Sequence, residues 1–454
     1  MKCTLHNLGC KVNSYETEAM RQLLEAAGYE IVEFGSETAD VYIINTCTVT
    51  NIADRKSRQM LHKAKKDNPN AVVVAAGCYV QEAGEKLLAD EAVDIIVGNN
   101  RKGQIVEVLE EYFKGRNIDN SFIDINKTRE YENLEINASL AHTRAYIKIQ
   151  DGCNQFCTYC IIPFARGRVR SRKIEDIIDE VRKLAESGCH EIVVTGIHLS
   201  SYGLDFDNTE YNAQPVPNAE RLLQVLEAIA AVDGIDRIRL GSLEPRIITD
   251  TFLERLSAIP QICPHFHLSL QSGCDETLRR MNRRYDTEEF REGVEKIRSF
   301  FDKPAITTDV IVGFPGETNE EFAITRKYLE EINFFEMHVF KYSRRKGTIA
   351  DRMENQIPDS VKSERSDALI ELDEELSRAY RESFAGSAEV VLVEEYVECD
   401  GIKYAVGHTK RYVKVYISLD CAQAQDIKIN AEIPVIITGI FGKDSVISKV
   451  AIAN

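Results

Sequence analysis

Long apolar runs are missing from this chain: nothing in its 454 residues approaches the roughly 20 consecutive apolar residues of a membrane span. The N-terminus, MKCTLHNLGC, also lacks the apolar core of a secretory signal. A surplus of positive charge is missing too. Lys and Arg number 56 against 73 Asp and Glu, for a net charge of −17. The first two absences argue against a membrane protein and point to the cytoplasm, where thiols stay reduced. The 12 cysteines therefore read as ligands or buried apolar residues, not as disulfides. The third absence excludes a simple nucleic-acid binder, so an RNA partner would have to be met by local basic patches in an acidic whole. The length predicts about three domains, and 44% hydrophobic residues supply large cores.

The most concentrated chemistry is Asp151-Gly152-Cys153-Asn154-Gln155-Phe156-Cys157-Thr158-Tyr159-Cys160, a C-x3-C-x2-C loop after a strand-like run at 145–150. Thiolate sulfur is a soft donor suited to zinc, copper(I) or iron–sulfur clusters. Structural zinc usually takes four protein ligands in paired C-x2-C units, and no second pair follows within reach. Three thiolates without a fourth suit a [4Fe–4S] cube with one open iron, although spacing alone leaves zinc in play. With Tyr159 just before the last cysteine, the loop resembles that of the radical S-adenosylmethionine (SAM) enzymes. The resemblance implies that the open iron binds SAM and that the reduced cluster cleaves it to a 5′-deoxyadenosyl radical, with Tyr159 among the SAM-binding residues.

The N-terminal third alternates strand-like and helical stretches: strands at 3–9, 41–45, 71–76 and 93–97, helices at 13–28, 53–66 and 102–113. This pattern predicts a parallel α/β sheet. Cys10, Cys47 and Cys78 each fall just past the carboxyl end of a strand, and parallel strands bring those ends to one edge, where open α/β folds place ligands. The competing reading is that free cysteines are small buried hydrophobes. Three at equivalent positions, two of them preceded by Gly9 and Gly77, favour a second metal site. Cys3 lies inside the first strand and reads as core. Gly9-Cys10-Lys11-Val12-Asn13, Asn45-Thr46-Cys47 and Ala76-Gly77-Cys78-Tyr79 resemble the N-terminal domain of methylthiotransferases. That likeness implies a second [4Fe–4S] cluster on Cys10, Cys47 and Cys78, whose open iron holds the sulfur to be inserted.

From residue 143 strands and helices alternate again, with strands at 145–150, 191–196, 237–241, 265–270, 306–313 and 336–342. Six repeats predict a partial barrel with its chemistry at the carboxyl ends of the strands. Polar residues and glycines gather there. By the resemblance, Gly196 lies near the methionine amino group of SAM, while Ser242, Glu244, Gln271 and Asp309 face its nucleoside and methionine parts. Backbone near Val310 and Phe340 flanks the adenine. His198 is not expected to be a ligand, and Cys189, Cys263 and Cys274 read as structural.

Basic residues cluster after the cysteine loop (Arg166, Arg168, Arg170, Arg172, Lys173), at Arg279, Arg280, Arg283 and Arg284, and at Arg344, Arg345 and Lys346. A further basic group lies on the helix predicted at 53–66. Solvated surface is the bland reading. Several knots near strand-end loops in so acidic a chain favour an RNA face, with Arg166, Arg168, Arg170 and Arg344 as contacts. The polar stretch 121–142 reads as a linker, and 358–384 as a long charged helix ending the domain at 143–384. Five short strands in 385–454 suggest a small β-barrel. There Gly407-His408-Thr409-Lys410-Arg411-Tyr412 resembles part of the RNA-binding TRAM domain. By that likeness Lys410 and Arg411 would meet phosphate and Tyr412 would stack on a base.

The expected fold is thus α/β throughout the first two domains: a parallel sheet over 1–120, a partial (β/α)6 radical-SAM barrel, and a C-terminal β-barrel. The resemblance implies a tRNA-modifying enzyme with two [4Fe–4S] clusters that uses SAM as methyl donor and radical source. Partners would be the tRNA anticodon stem-loop, a reductant such as flavodoxin or ferredoxin, and a sulfur donor. The Gly9–Asn13 and Thr195–Leu199 segments look like the branch acting on N6-threonylcarbamoyladenosine. N6-isopentenyladenosine in tRNA and a ribosomal-protein aspartate are the alternative substrates.

Overall fold

The computed structural model describes residues 1–116, 123–137, 143–206, 219–420 and 426–451. The first sheet contains β1 (Lys2–Asn7), β2 (Glu30–Ile31), β3 (Val41–Thr46), β4 (Val72–Gly77) and β5 (Ile95–Val97). All pairs are parallel, in the order β2-β1-β3-β4-β5. Near-continuous apolar runs such as 41–44 and 72–76 produce this arrangement, because a parallel strand buries both faces. Tyr42, Ile44, Val73 and Ala75 face one side with Leu61 and Ala64, while Val41, Ile43, Val72 and Val74 face the other with Met20 and Leu24. Cys3 is fully buried among the latter.

The helix Lys11–Ala26 lies between this sheet and the next domain. Met20 and Leu24 enter the sheet's core, and Tyr15 and Ala19 enter the barrel's. The stretch expected to be a linker behaves alike where it is described: Leu134 and Ile136 are buried in the barrel core. It is a strap, because its few apolar residues find the seam between the domains.

The central barrel is built from β6 (Arg144–Asp151), β7 (Arg170–Ser171), β8 (Glu191–Gly196), β9 (Arg237–Leu240), β10 (Ser242–Leu243), β11 (His265–Gln271), β12 (Ala305–Val312) and β13 (Glu336–Lys341). The expected six strands are there, but the third is broken. At Gly241, whose N–H donates to the Val194 carbonyl at 2.8 Å, the chain leaves β8 and continues as β10 beside β11. A Cβ there would stand 3.0 Å from that carbonyl oxygen, so the close approach needs glycine. Two four-stranded sheets result, β7-β6-β8-β9 and β10-β11-β12-β13.

Alternation along each strand sorts the side chains. Ile147, Ile149, Ile192, Val194, Phe266, Leu268 and Val310 face the surrounding helices. The alternate residues, among them Lys148, Arg239, His267, Asp309 and His338, face the lumen. Polar side chains there offer hydrogen-bonding partners in place of an apolar filling. The helix Asp359–Glu382 packs Leu369 and Leu372 into the same core.

The last five strands, β14 (Ala388–Cys399), β15 (Ile402–Thr409), β16 (Lys414–Ser418), β17 (Glu432–Phe441) and β18 (Ser445–Val450), close into a barrel in the order β14-β15-β16-β18-β17. Closure removes the exposed edges that so short a sheet would present. No helix of the described residues is long and apolar enough to cross a membrane.

Candidate active site

The cysteine loop is fixed by its neighbours on both sides. Gly152 has φ of 71°, and a Cβ there would fall 1.9 Å from the Arg168 carbonyl oxygen. The loop therefore turns only with glycine. Gln150 donates to the carbonyls of Asp151 and Gly152 at 2.8 and 2.7 Å, and its own carbonyl oxygen accepts from the His198 N–H. Farther along, Thr158 donates to the carbonyls of Met281 and Arg280, and Ala350 donates to the Thr158 carbonyl. The Arg283 guanidinium donates to the Cys157 sulfur at 3.2 Å. Arg283 had been read as part of a surface patch, and only its proximity to Cys157 reveals another role. Tyr159 packs edge-on against Phe314 at 6.3 Å.

Cys10, Cys47 and Cys78 follow β1, β3 and β4, three adjacent strands, so the predicted convergence is realised by the strand order. Cys10 is the N-cap of the helix Lys11–Ala26, and Cys78 opens the helix Cys78–Ala83. Gly77 has φ of 94° and its Cβ would sit 2.5 Å from Asn45 Oδ1, while a Cβ on Gly9 would press on Cys47 at 3.2 Å.

Beneath the two triads lies a buried charge network that no stretch of sequence announces. Glu16 binds Arg166, Lys148 and Lys102, each at 2.9 Å, and Asp151 binds Arg166 at 3.1 Å and Lys148 at 3.3 Å. All five side chains are at most 5% exposed. Arg166 also donates to Asn13 at 2.6 Å, and Asn13 donates in turn to the carbonyls of Leu8 and Thr46. With Arg170 3.8 Å from Asp151, four cations face these two carboxylates, and one of the surplus, Arg166, lies beside Cys78. Opposite charge holds Glu16 and Asp151 ionised far below the usual carboxylate range, against the burial that alone would raise them.

These facts test the donor sets against iron–sulfur clusters. Burial, reinforced by Cys157, pushes the Cys160 thiol up to about 12, and burial with Cys78 pushes Cys47 up to about 11. Bare thiols here stay protonated, and bound metal would supply the charge that ionises them. Among the described residues neither triad has its three sulfurs within 4.8 Å of one another. A tetrahedral zinc, with bonds of about 2.3 Å, would draw them closer than that. The wider triads, the surplus cation and the Arg283 contact fit a multi-iron cluster.

The residues expected to meet SAM sit on or just after strands of both barrel sheets. Ser242 is hydrogen-bonded to Ser269 at 2.7 Å, and Gln271 has φ of 76° at a bulge in β11. Asp309 faces His267 at 3.3 Å, and Phe340 is 46% exposed. Val310 turns its side chain to the core, which leaves only its backbone near the lumen. Gly196 abuts Gln150, where a Cβ would stand 3.0 Å away. Glu244 is already engaged by Gln155 at 2.8 Å, His198 at 3.1 Å and Arg246. Burial would raise its pKa, but His198 and Arg246 hold it near 2.

The RNA expectations need correction. Arg166 and Arg170 are fully buried, Arg166 in the network above and Arg170 on the carbonyls of Arg166 and Arg168. Neither can present a guanidinium to phosphate, because both are buried against carboxylate and carbonyl oxygens. Arg168 lies 4.3 Å over the Phe156 ring. Lys410 donates to the Pro260 carbonyl, and Arg411 binds Glu389 at 2.9 Å and the carbonyls of Asp302 and Lys303. Tyr412 sits beneath Arg239 (4.6 Å) and Arg144 (5.1 Å), stacked on His408. These C-terminal residues plug the base of the central barrel, where Arg144, Arg237 and Arg239 surround Glu191 and need cover. Arg344 is exposed apart from a bond to Asp351.

Comparison with known proteins agrees with this anatomy. Residues 147–329 match the Radical SAM superfamily and residues 2–98 match Uncharacterized protein family UPF0004. The chain is 43% identical over 411 residues to the threonylcarbamoyladenosine tRNA methylthiotransferase MtaB of Bacillus subtilis, covering 90% of this chain and 89% of that protein. It is 37% identical to the tRNA-2-methylthio-N(6)-dimethylallyladenosine synthase of Aquifex aeolicus, over 87% of this chain and 88% of that one. Among solved structures, the radical SAM methyltransferase TsrM of Kitasatospora setae shares the fold, with a TM-score of 0.55 at 15% identity over 77% of this chain and 73% of that one. Two cysteine triads joined by one buried network, and relatives matched nearly end to end, lead to one conclusion: the chain belongs to the radical-SAM methylthiotransferases.

Proposed function

We propose that this protein inserts a methylthio group at C2 of N6-threonylcarbamoyladenosine beside the anticodon of tRNA. SAM would serve as both methyl donor and radical source. The supporting observation is the buried network. Glu16 lies six residues after Cys10 and Asp151 two residues before Cys153, and both grip Arg166. One guanidinium thus fixes the second triad against the first.

Cys153, Cys157 and Cys160 would hold the SAM-binding cluster, and Cys10, Cys47 and Cys78 the second. When bound, these groups supply a 5′-deoxyadenosyl radical and the sulfur to be inserted. The chain's own residues orient and shield. Gln150 and Gly152 set the loop over the lumen, and Phe340 offers an open aromatic face to adenine. Ser242, Gln271 and Asp309 offer hydrogen-bonding partners to ribose and amino acid, and the polypeptide at Gly196 and Val310 offers backbone groups. Tyr412 closes the far end against water.

Val49, Ile52, Phe164 and Ile349 are exposed, as are Arg55, Lys56 and Arg344, and Asn51 ties the start of the helix Asn51–Asp67 to Ser343 and the Arg344 carbonyl. This surface is the proposed anticodon-loop contact, apolar for bases and basic for phosphates. A cytoplasmic reductant of the flavodoxin or ferredoxin class and a sulfur donor complete the reaction.

The test is iron and sulfide content after anaerobic reconstitution, followed by mass spectrometry of modified anticodon stem-loops. Wild type should hold about eight irons. Cys153→Ala/Cys157→Ala/Cys160→Ala and Cys10→Ala/Cys47→Ala/Cys78→Ala should each hold about four and yield no methylthio product. Four irons in wild type, all lost with the first variant, would overturn the reading.

A further inference from the structure

The sheet β10-β11-β12-β13 ends at β13, and on its lumen face three metal-ligating side chains come together. His267 lies on β11, Asp309 on β12 and His338 on β13. The register explains the meeting. His267 is paired with Thr307, Asp309 stands two residues farther along β12, and the partner of Asp309 on β13 is His338. Residues two apart share a face, and adjacent strands lie about 4.8 Å apart, so all three point the same way. Their neighbours Phe266, Leu268, Val310 and Met337 point into the core. One ligand atom from each of the three lies within 4.8 Å of the other two.

Two details set this group apart from a chance contact. His267 Nε2 stands 3.3 Å from Asp309 Oδ2. A charge-assisted hydrogen bond would close to about 2.7–2.9 Å. Two ligands sharing one ion, with bonds of about 2.0–2.2 Å, lie about 2.8–3.6 Å apart at octahedral or tetrahedral angles. In addition, His267 Nδ1 lies 3.0 Å from the hydroxyl of the buried Thr307. Donation to that hydroxyl fixes the ring and leaves the Nε2 lone pair for an ion.

There is also a way in. His338 is exposed and stacks on His267, with ring centroids 5.8 Å apart. It lines a cleft of about 500 Å³ between β13, the helix Asp359–Glu382 and the turn after β17. Six carboxylates line that cleft against three Lys and Arg side chains, so it draws cations.

Two imidazoles and one carboxylate suit a borderline divalent ion. We propose that His267, Asp309 and His338 bind one divalent first-row transition ion, of the zinc or iron(II) class. The site uses none of the six cluster cysteines. Three protein ligands leave positions open toward the lumen, where oxygen donors of a bound substrate complete the coordination. One oxygen of Asp309 serves the ion, and the other stays available to the nucleoside. The inference stands on these strands alone and does not need the substrate reading above.

The test adds zinc chloride alone to the anaerobically reconstituted enzyme, removes the excess by gel filtration, and measures zinc and iron per chain. Cobalt(II), used in parallel, reports the donor atoms by its absorption. Wild type should retain about one zinc beyond its cluster iron, and its cobalt form should show no thiolate charge transfer. His338→Ala, on the edge strand, and His267→Gln should lose that zinc and keep wild-type iron. Thr307→Val, of nearly the same shape, should keep the site but weaken zinc affinity about ten- to hundredfold, the usual cost of removing the hydrogen bond behind a ligating imidazole.

Wild type that retains no zinc overturns the proposal. Zinc retained equally by His338→Ala and His267→Gln also overturns it, since the ion then sits elsewhere. Thiolate charge transfer in the cobalt form does the same by placing the ion on cysteine. If His267→Gln sheds iron together with zinc, His338→Ala decides alone.

Discussion

The two cysteine triads reach the same end by opposite routes. Cys153, Cys157 and Cys160 are set by one loop, and their spacing is written in ten consecutive residues. Cys10, Cys47 and Cys78 are set by a sheet, and nothing local relates them. What brings them together is the order β1-β3-β4 and the rule that parallel strands end on one edge. A loop site depends on the few contacts that fold the loop, whereas a sheet site depends on a whole domain core. The buried network under both makes them mechanically one, since Arg166 is shared.

Removing that shared part should erase the comparison. Glu16→Gln leaves Lys102, Lys148 and Arg166 facing only Asp151 in a dry interior. Breaking such a buried network costs about 3–5 kcal/mol. We expect both clusters to be lost together and the urea midpoint to fall. Retention of either set of four irons would show that the two sites are independent.

Glycine substitutions should separate the sites. Gly152→Ala drives a Cβ into the Arg168 carbonyl, and Gly77→Ala drives one into Asn45 Oδ1 and the Thr46 carbonyl, both at positive φ. Each strains its own turn by about 1–3 kcal/mol or more. The first should lose the four irons of the loop site and keep the others, and the second the reverse. Iron counts with site-resolved EPR check both. Loss of all irons from either variant would place the coupling in the backbone and not in the Glu16 network.

What could be read from the sequence follows the same division. The loop triad, the strand order that gathers the second triad and all five C-terminal strands follow from spacing and periodicity, which are local. The break of the third barrel strand at Gly241 does not, because it answers a carbonyl on β8. Arg166 and Arg170 looked like surface residues because alternating arginines after a loop usually are. Their burial is caused by Glu16 and Asp151, one of them 150 residues away from Arg166. Lys410, Arg411 and Tyr412 carry a motif suited to RNA, but Arg239 and Arg144 beneath them need a cover, and that demand is invisible in a linear chain.

The base of the barrel should touch stability and spare the clusters. Burial would raise the Glu191 pKa, but Arg239, Arg144 and Arg237 hold it at about 2, against 4.5 ordinarily. A depressed folded-state pKa stabilises above the ordinary value, and that stability is lost as pH falls toward 2. Its size here is about 3 kcal/mol. Glu191→Gln should unfold more readily at pH 7, lose less stability than wild type between roughly pH 5 and 2, and retain all its iron. Parallel acid dependence in the two proteins would mean that the arginines find another counter-charge.

The smallest effect on the fold belongs to Arg344, whose side chain is 59% exposed and, among the described residues, pairs with Asp351 alone. A pair so wet contributes about 0–1 kcal/mol, so Arg344→Ala should leave the melting temperature and both clusters unchanged. Arg345, one residue on, is buried at the seam between domains against Asp54, Asn51 and Thr48, so its replacement should loosen the fold. This contrast separates RNA binding from structure within one basic knot. If this surface meets the anticodon stem-loop, Arg344→Ala weakens binding uniformly across sequences and lowers the salt slope by about one. An unchanged salt slope would move the phosphate contacts to other exposed cations nearby, such as Arg55 and Lys56 on the neighbouring helix Asn51–Asp67.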